Sequence, residues 1–268
     1  MSGGRLIVCP TPIGNLEDVT LRVLSALREA DVVACEDTRR TRTLLERYGV
    51  SARLVSYYEQ NETRRAAELV ERMRAGETVA LVSDAGMPLI SDPGYVLVRS
   101  AVAAGLDIEV LPGPSAALAA LVASGLPSDR WTFVGFLPRK RGDLTRLFAE
   151  SGSTLVAFES PRRLPATLAL LASADRNRQV AVCRELTKAH EEVVRGTAAE
   201  LAERYREPPK GEVVLVVAGA ETDADTGVGV HAVARLVEAG ARPRAAAAVV
   251  AELTGQSANA LYRAYTNT

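Results

Sequence analysis

Three short apolar runs in the first half of this chain each end in a loop built of proline and glycine, and that pairing leaves few architectures open. Thr78-Val-Ala-Leu-Val82 is apolar without alternation, the character of a parallel strand buried on both faces. It runs into Ser83-Asp-Ala-Gly-Met-Pro-Leu-Ile-Ser-Asp-Pro93, a segment too irregular for helix or sheet, after which a helix is expected with Asp92 as N-cap and Pro93 as its first residue. Arg5-Leu-Ile-Val-Cys9 ends in Pro10-Thr-Pro-Ile-Gly-Asn15, and Asp107-Ile-Glu-Val-Leu111 ends in Pro112-Gly-Pro-Ser-Ala116. Parallel strands put their carboxyl ends on one edge of a sheet, and open α/β sheets bind ligands at that edge. Loops of this kind expose backbone N–H and C=O groups, and Gly86 allows a ligand to approach the main chain closely. One ligand shared by the three loops explains them together.

The rest of the first half keeps the same alternation. Helical spacing over residues 20–28, 38–48 and 62–75 is interleaved with strand-like runs at 31–35 and 53–57, so a mainly parallel sheet with helices on both faces is expected. After about Gly125 the pattern shifts. Strands are expected at 131–136, 154–158, 179–183, 192–195 and 212–218, around a basic helix that carries Arg139, Lys140, Arg141 and Arg146; some of these strands are expected to be antiparallel. Residues 221–229 are rich in Asp, Thr and Gly and read as a linker. Three short helices are expected beyond it, over 230–238, 243–253 and 257–265, with Ser257 capping the last. The domains are therefore drawn as 1–117, 118–222 and a helical appendage at 228–268.

Composition narrows the chemistry. Lys and Arg number 32 against 33 Asp and Glu, so any nucleic-acid surface must be a local patch. Cys9, Cys35 and Cys183 sit in or beside apolar runs, which fits a reducing cytoplasm and no disulfide framework. No leader or membrane-length apolar stretch stands out, so a soluble cytoplasmic protein is expected. Neither G-x-G-x-x-G nor a P-loop is present, and His190 and His231 are the only histidines, so no metal site is expected.

Four polar runs follow expected strands: Glu36-Asp-Thr-Arg-Arg40, Tyr57-Tyr-Glu-Gln-Asn-Glu62, Phe158-Glu-Ser-Pro-Arg-Arg163 and Arg184-Glu-Leu-Thr-Lys-Ala-His-Glu191. Together they describe a cleft lined by charge, with arginines suited to phosphate and carboxylates suited to hydroxyl recognition or proton transfer. Arg39, Arg40, Arg139, Lys140, Arg141, Arg162 and Arg163 cluster locally in a nearly neutral chain and are the cations expected to meet ligand phosphates.

These motifs, in this order, resemble the tetrapyrrole methylase superfamily, in its branch of ribosomal RNA methyltransferases. Thr11-Pro-Ile-Gly-Asn-Leu-Glu-Asp18, Glu36-Asp-Thr-Arg39, the long run from Ser83 to Gly94, Leu111-Pro-Gly-Pro-Ser-Ala116, Glu159-Ser-Pro-Arg-Arg163 and Arg184-Glu-Leu-Thr-Lys188 carry the resemblance. It covers about residues 5–220, and the helical tail is similar to that branch's C-terminal appendage. Phe158 and Arg162 depart from it, standing where the family often has tyrosine and histidine.

The resemblance implies two α/β domains of tetrapyrrole-methylase type with a cofactor cleft between them, and commonly a homodimer. It implies S-adenosyl-L-methionine as methyl donor and the ribose 2′-hydroxyl of a cytidine in the decoding region of small-subunit (16S) ribosomal RNA as acceptor, free or in the assembled 30S subunit. Carried over by motif, the cofactor would meet Pro12, Ser83, Asp84, Ala85, Gly86, Met87, Ser115 and Ala116, and in the second domain Phe158, Leu186 and the backbone near Ala218. A ribose hydroxyl needs its proton removed or its developing charge stabilised. Glu159 or Glu185 is expected as base and Lys188 as electrostatic partner, because both segments follow second-domain strands facing the cofactor loops. Two other readings stay open: a small-molecule methylase acting on tetrapyrrole or corrin precursors, and a non-catalytic nucleic-acid-binding protein that reads with its helical tail.

Overall fold

The computed structural model describes residues 4–220, 223–254, 256 and 258–266. Ten strands and eleven α-helices follow one another as β1 (Arg5–Cys9), α1 (Leu21–Glu29), β2 (Val32–Cys35), α2 (Thr38–Arg47), β3 (Leu54–Ser56), α3 (Glu62–Arg74), β4 (Val79–Val82), α4 (Tyr95–Ala103), β5 (Asp107–Val110), α5 (Ala116–Ser124), β6 (Trp131–Phe136), α6 (Arg141–Glu150), β7 (Thr154–Glu159), α7 (Leu164–Ala174), β8 (Gln179–Arg184), β9 (Glu192–Thr197), α8 (Ala198–Arg204), β10 (Val213–Val217), α9 (Asp223–Glu238), α10 (Pro243–Thr254) and α11 (Ala258–Thr266).

The first sheet is wholly parallel, in the order β3-β2-β4-β1-β5. Side chains alternate across a strand, and both faces are apolar. Ile7, Cys9, Val33 and Ala80 pack with Val23, Leu27 and Leu45 of α1 and α2. Leu6, Val8, Val32 and Leu81 pack on the other side with Leu69, Met73 and Leu97 of α3 and α4. The chain leaves β1 toward β2 and leaves β4 toward β5, so β1 and β4, neighbours at the centre, form a topological switch point.

The second sheet has the order β6-β7-β10-β8-β9 and is antiparallel except between β6 and β7. One face is covered by α6, α7 and α8 through Phe148, Leu168 and Leu201. The other is covered by α5, whose Ala117, Ala120 and Leu121 pack on Val156, Ala181, Cys183, Val214 and Val216. Helix α5 therefore runs across residue 117, and its buried side belongs to the second core. A third core, of Val233, Ala246, Ala247, Val250 and Leu261, holds α9, α10 and α11 together.

Two local expectations are corrected. Asp92 does not cap α4. Leu89 and Ser91 take φ of 73° and 69°, and the chain turns again at Gly94, whose φ is 138° and which is the N-cap. A side chain there would collide with Leu89 and Leu81, so the loop needs this glycine and runs two residues further than expected before the helix can start. Helix α9 begins at Asp223, so most of the expected linker is helical. Glu221, Thr222, Gly255 and Ser257 lie outside the described residues.

Candidate active site

The loops after β1 and β4 meet at the switch point. Thr11 and Gly86 exchange both backbone hydrogen bonds, each 2.9 Å long. The Thr11 hydroxyl donates to the Ser83 carbonyl at 3.0 Å, and the Ser83 hydroxyl donates to the Gly86 carbonyl at 2.9 Å. Gly86 has φ of 81°, a left-handed turn that glycine enters without strain. A Cβ on Gly113 would lie 2.5 Å from Pro10 Cγ, so the loop after β5 is pressed against the same group. Ser83 is thus an internal brace, buried and fully engaged.

These loops form one wall of a cavity of about 440 Å³. Ala85, Gly86 and Met87 line it from the first sheet, with Ile13, Ile90, Ser91 and Asp92, and Ser115 and Ala116 line it at the start of α5. Phe158 and Leu186 line it from the second sheet, with Phe136, Cys183, Val213 and Val214. Phe158 is held edge-on by Phe133 and Phe136, with ring centroids 5.1 and 5.5 Å away. Pro12, Ser83, Asp84 and Ala218 are not among the lining residues. Ala218 sits beyond the far end of β10 from Val213, its N–H bonded to the Gln179 carbonyl and its carbonyl accepting from Arg178 Nε, which places it away from the cavity.

The two sheets are clamped together at the rim. Glu185 and Thr187 take positive φ, 50° and 65°, in a tight turn after β8. Thr187 Oγ1 accepts from the Asn15 N–H at 3.0 Å, and a Cβ on Gly14 would stand 2.5 Å from Lys188 Cγ. Lys188 Nζ donates to Glu185 Oε1 at 2.8 Å and to Glu212 Oε2 at 2.7 Å, and the Glu212 N–H also reaches Glu185 Oε1. The Lys188 bond holds the Glu185 carboxyl below its ordinary range, and burial resists but does not prevent a rise at Lys188. Glu185 does not line the cavity, and its charge is spent on this clamp.

Glu159 is likewise corrected from base to brace. Its side chain has no exposed surface, Oε1 accepts from the Ser160 N–H at 2.7 Å, and Oε2 accepts from the Thr167 hydroxyl at 2.6 Å. Arg163 lies 3.5 Å from Oε1 and donates its other nitrogens to the Leu137 and Pro138 carbonyls, at 3.1 and 2.5 Å. The pair ties β7 to α7 and to the end of β6, and Arg163 is committed to protein rather than free for phosphate. Arg162 beside it is exposed, as are Arg139, Lys140 and Arg141. Arg162 follows the cavity-lining Pro161 in the chain, and Arg139 follows the cavity-lining Phe136 by three residues. Arg39 and Arg40 are also exposed; Arg39 pairs with Asp37 at 2.7 Å and Arg40 with Asp84 at 3.4 Å. Hydrogen bonds from Arg39 bring the Asp37 carboxyl down to about 2.

Asp92, expected as a helix cap, lines the cavity instead. Burial pushes its carboxyl up to about 7, and the charges of Glu36 and Asp84 add to that rise. The signal available in the sequence was the density of acid, with Asp84 and Asp92 in one loop facing Glu36-Asp37. Cys183 lines the cavity, and burial raises its thiol to about 11, which favours the neutral thiol over the thiolate. Among the described residues no cluster of His, Cys, Asp and Glu could hold a metal, and no helix is long and apolar enough to cross a membrane.

The signature of the tetrapyrrole (corrin/porphyrin) methylases matches residues 5–202. A Mesorhizobium japonicum protein named ribosomal RNA small subunit methyltransferase I is 47% identical, over 96% of this chain and 90% of its own length. Proteins of the same name from Escherichia coli O157:H7 and Thermotoga maritima are 42% and 43% identical, over 98% and 81% of this chain and 94% and 100% of theirs. Among solved structures, uroporphyrin-III-C-methyltransferase from Thermus thermophilus superposes with a TM-score of 0.58 at 22% identity, over 80% of this chain and 94% of that one. A structure of the Thermus thermophilus enzyme complexed with S-adenyl homocysteine gives 0.55 at 22% identity, over 80% and 97%. At that identity the likeness establishes the fold, and the sequence relatives establish the lineage. The chain belongs to the tetrapyrrole methylase family, in the branch that holds the ribosomal RNA small subunit methyltransferases I.

Proposed function

We propose that this protein is an S-adenosylmethionine-dependent methyltransferase that methylates the ribose 2′-oxygen of a cytidine in the decoding region of 16S ribosomal RNA. The observation that carries the proposal is the cavity between the two sheets, opening at the switch point of a chain whose close relatives are named ribosomal RNA methyltransferases. The cavity suits the cofactor in size and in chemistry. Ile13, Phe158, Leu186 and Val214 offer apolar walls for an adenine ring and a thioether, while the backbone of Ala85, Gly86 and Met87 and the N-terminal turn of α5 at Ser115 and Ala116 offer polar partners. Bound there, the cofactor supplies a methyl group on a positively charged sulfur. The chain's own part is to orient the acceptor for in-line attack, exclude water and take up the acceptor's proton.

Arg39, Arg40, Arg139, Lys140, Arg141 and Arg162 are assigned to RNA phosphates, and Arg163 is withdrawn from that set. An A-form helix hides its base edges, so the target is read in an unpaired or assembled context, and the 30S subunit is the proposed substrate. A homodimer and a cytoplasmic location belong to the same proposal: Val110, Leu118 and Val122 are exposed apolar side chains open to a second copy, and a ribosomal RNA substrate suits the cytoplasm.

The test is to incubate the purified protein with labelled S-adenosylmethionine and small subunits from cells lacking the enzyme, then map the label by mass spectrometry. Label on one ribose 2′-oxygen of the decoding region is the expected result. Label on a base, or none on RNA while the cofactor binds, would overturn the proposal in favour of another acceptor.

A further inference from the structure

Three carboxylates line the cavity among the described residues: Asp92, Glu159 and Glu212. Glu159 is sealed in by Ser160, Thr167 and Arg163, and Glu212 is tied to Lys188. Asp92 is half-buried and, among the described residues, its side chain forms no hydrogen bond or ion pair. Among the described residues no histidine lines the cavity. Asp92 is also held in a loop that spends conformational strain, with Leu89 and Ser91 at positive φ on its N-terminal side and Gly94 at 138° beyond it. Non-glycine residues in that region persist only where the surroundings over-determine them, and such loops cluster at active sites.

We infer that Asp92 is the general base of the methyl transfer, receiving the proton of the acceptor hydroxyl, an inference that rests on the function proposed above. As the O–H bond breaks, its proton passes to an Asp92 carboxylate oxygen. The oxygen's electron pair forms the new O–C bond to the methyl carbon, and the C–S bond breaks with its pair staying on sulfur, which becomes a neutral thioether. The proton leaves Asp92 for solvent when the products depart.

The charges around Asp92 tune it for that role. Its burial favours the neutral form most, and the charges of Glu36 and Asp84, from the ends of β2 and β4, add to that. Asp84 is held in place by the Asp37 N–H at 3.0 Å and partly offset by Arg40 at 3.4 Å. Across the cavity Glu159 and Glu212 are neutralised by their own partners. A base serves best when its pKa lies near the working pH, and a carboxyl near 7 keeps enough ionised form to accept a proton while binding it far more strongly than an ordinary aspartate would.

The experiment combines single-turnover methylation of unmodified small subunits between about pH 5.5 and 9 with carbon-13 NMR of aspartate carboxyls in the cofactor-free protein. In the wild type the rate should climb tenfold per pH unit and level off near pH 7, and one carboxyl resonance should titrate with the same midpoint. Asp92→Asn should lose that resonance and the bend and slow transfer ~10²- to 10⁴-fold, the range for a lost acid–base group, with S-adenosylhomocysteine affinity by calorimetry unchanged. Glu36→Gln, which removes a facing negative charge, should move both midpoints to lower pH. A wild-type rate and bend in Asp92→Asn, or an Asp92 resonance that titrates below about pH 5, would overturn the inference while leaving the methyltransferase intact. A wild-type protein that puts no methyl on RNA would overturn the functional proposal, and the inference with it.

Discussion

The two rims of the cavity use charge in opposite ways. On the second-sheet rim the carboxylates have cationic partners: Glu185 and Glu212 share Lys188, and Glu159 is enclosed by Ser160, Thr167 and Arg163. On the first-sheet rim Glu36, Asp84 and Asp92 crowd together with one arginine, Arg40, paired to only one of them. Satisfied charge builds a rigid wall, and crowded, under-compensated charge produces a group whose protonation can change near neutral pH. A carboxylate's place at a cleft says little about its task until its partners are counted.

The strongest way to break this contrast is to empty the second rim. Glu159→Ala should cost roughly 3 kcal/mol of stability, the lower end for breaking a buried pair, because Arg163 keeps its two backbone acceptors. It also leaves the Thr167 hydroxyl and the Ser160 N–H without their acceptor. Urea unfolding should show the loss as a lower midpoint, while the folded fraction still transfers methyl at a near-normal rate. Loss of transfer with stability intact would return Glu159 to the chemistry.

Next in size is the clamp between the rims. Gly14→Val should push the loop after β1 away from Thr187 and Lys188, since even a Cβ there lies 2.5 Å from Lys188 Cγ. Overpacking of this kind costs ~1–3 kcal/mol, and expressed in cofactor affinity it should appear as roughly a tenfold or greater rise in Kd. Calorimetry with S-adenosylhomocysteine measures it. Unchanged affinity would mean that the clamp does not shape the cavity.

A smaller effect separates two neighbouring arginines. Arg162→Ala should weaken subunit binding and reduce the slope of log affinity against log salt by ~0.7–0.9, the share of one phosphate contact. Arg163→Ala should leave that slope unchanged and lower thermal stability instead, because its guanidinium serves Glu159 and two backbone carbonyls. The reverse pattern would place Arg163 on the RNA.

How far the sequence could be read follows from the same division. Strands such as β1 and β4, apolar on both faces, and the loops marked by proline and glycine declare themselves by local chemistry, and the parallel sheet with its ligand edge follows from them. The cavity residues Gly86, Met87, Ser115, Phe158 and Leu186 were legible from motif and position. Partners were not. That Glu159 is enclosed by a residue eight positions on, or that Glu185 meets Glu212 across 27 residues of chain, is a tertiary fact with no periodic signature. Asp92 was misread for a related reason: Asp-Pro before an apolar run is a sound local signal for a helix start, and it lost to the left-handed turns at Leu89 and Ser91 and to Gly94.

The first rim's charge should also be visible in stability, as the smallest of these effects. Asp92 has an ordinary carboxyl value of 3.8 and stands at about 7 in the folded chain. Between those values the folded protein holds a proton that the unfolded chain has released, so stability falls as pH rises through the interval and is level above it. Asn carries no such proton. Asp92→Asn should therefore melt with the wild type near pH 4 and above it at pH 8, by ~2–4 °C for each kcal/mol regained. Equal melting temperatures at pH 8 would show that solvent in the cavity already relieves the ionised carboxylate. A higher melting temperature together with slowed transfer would show that the unfavourable charge is kept because the chemistry needs it, which is the trade between stability and activity expected of a strained site.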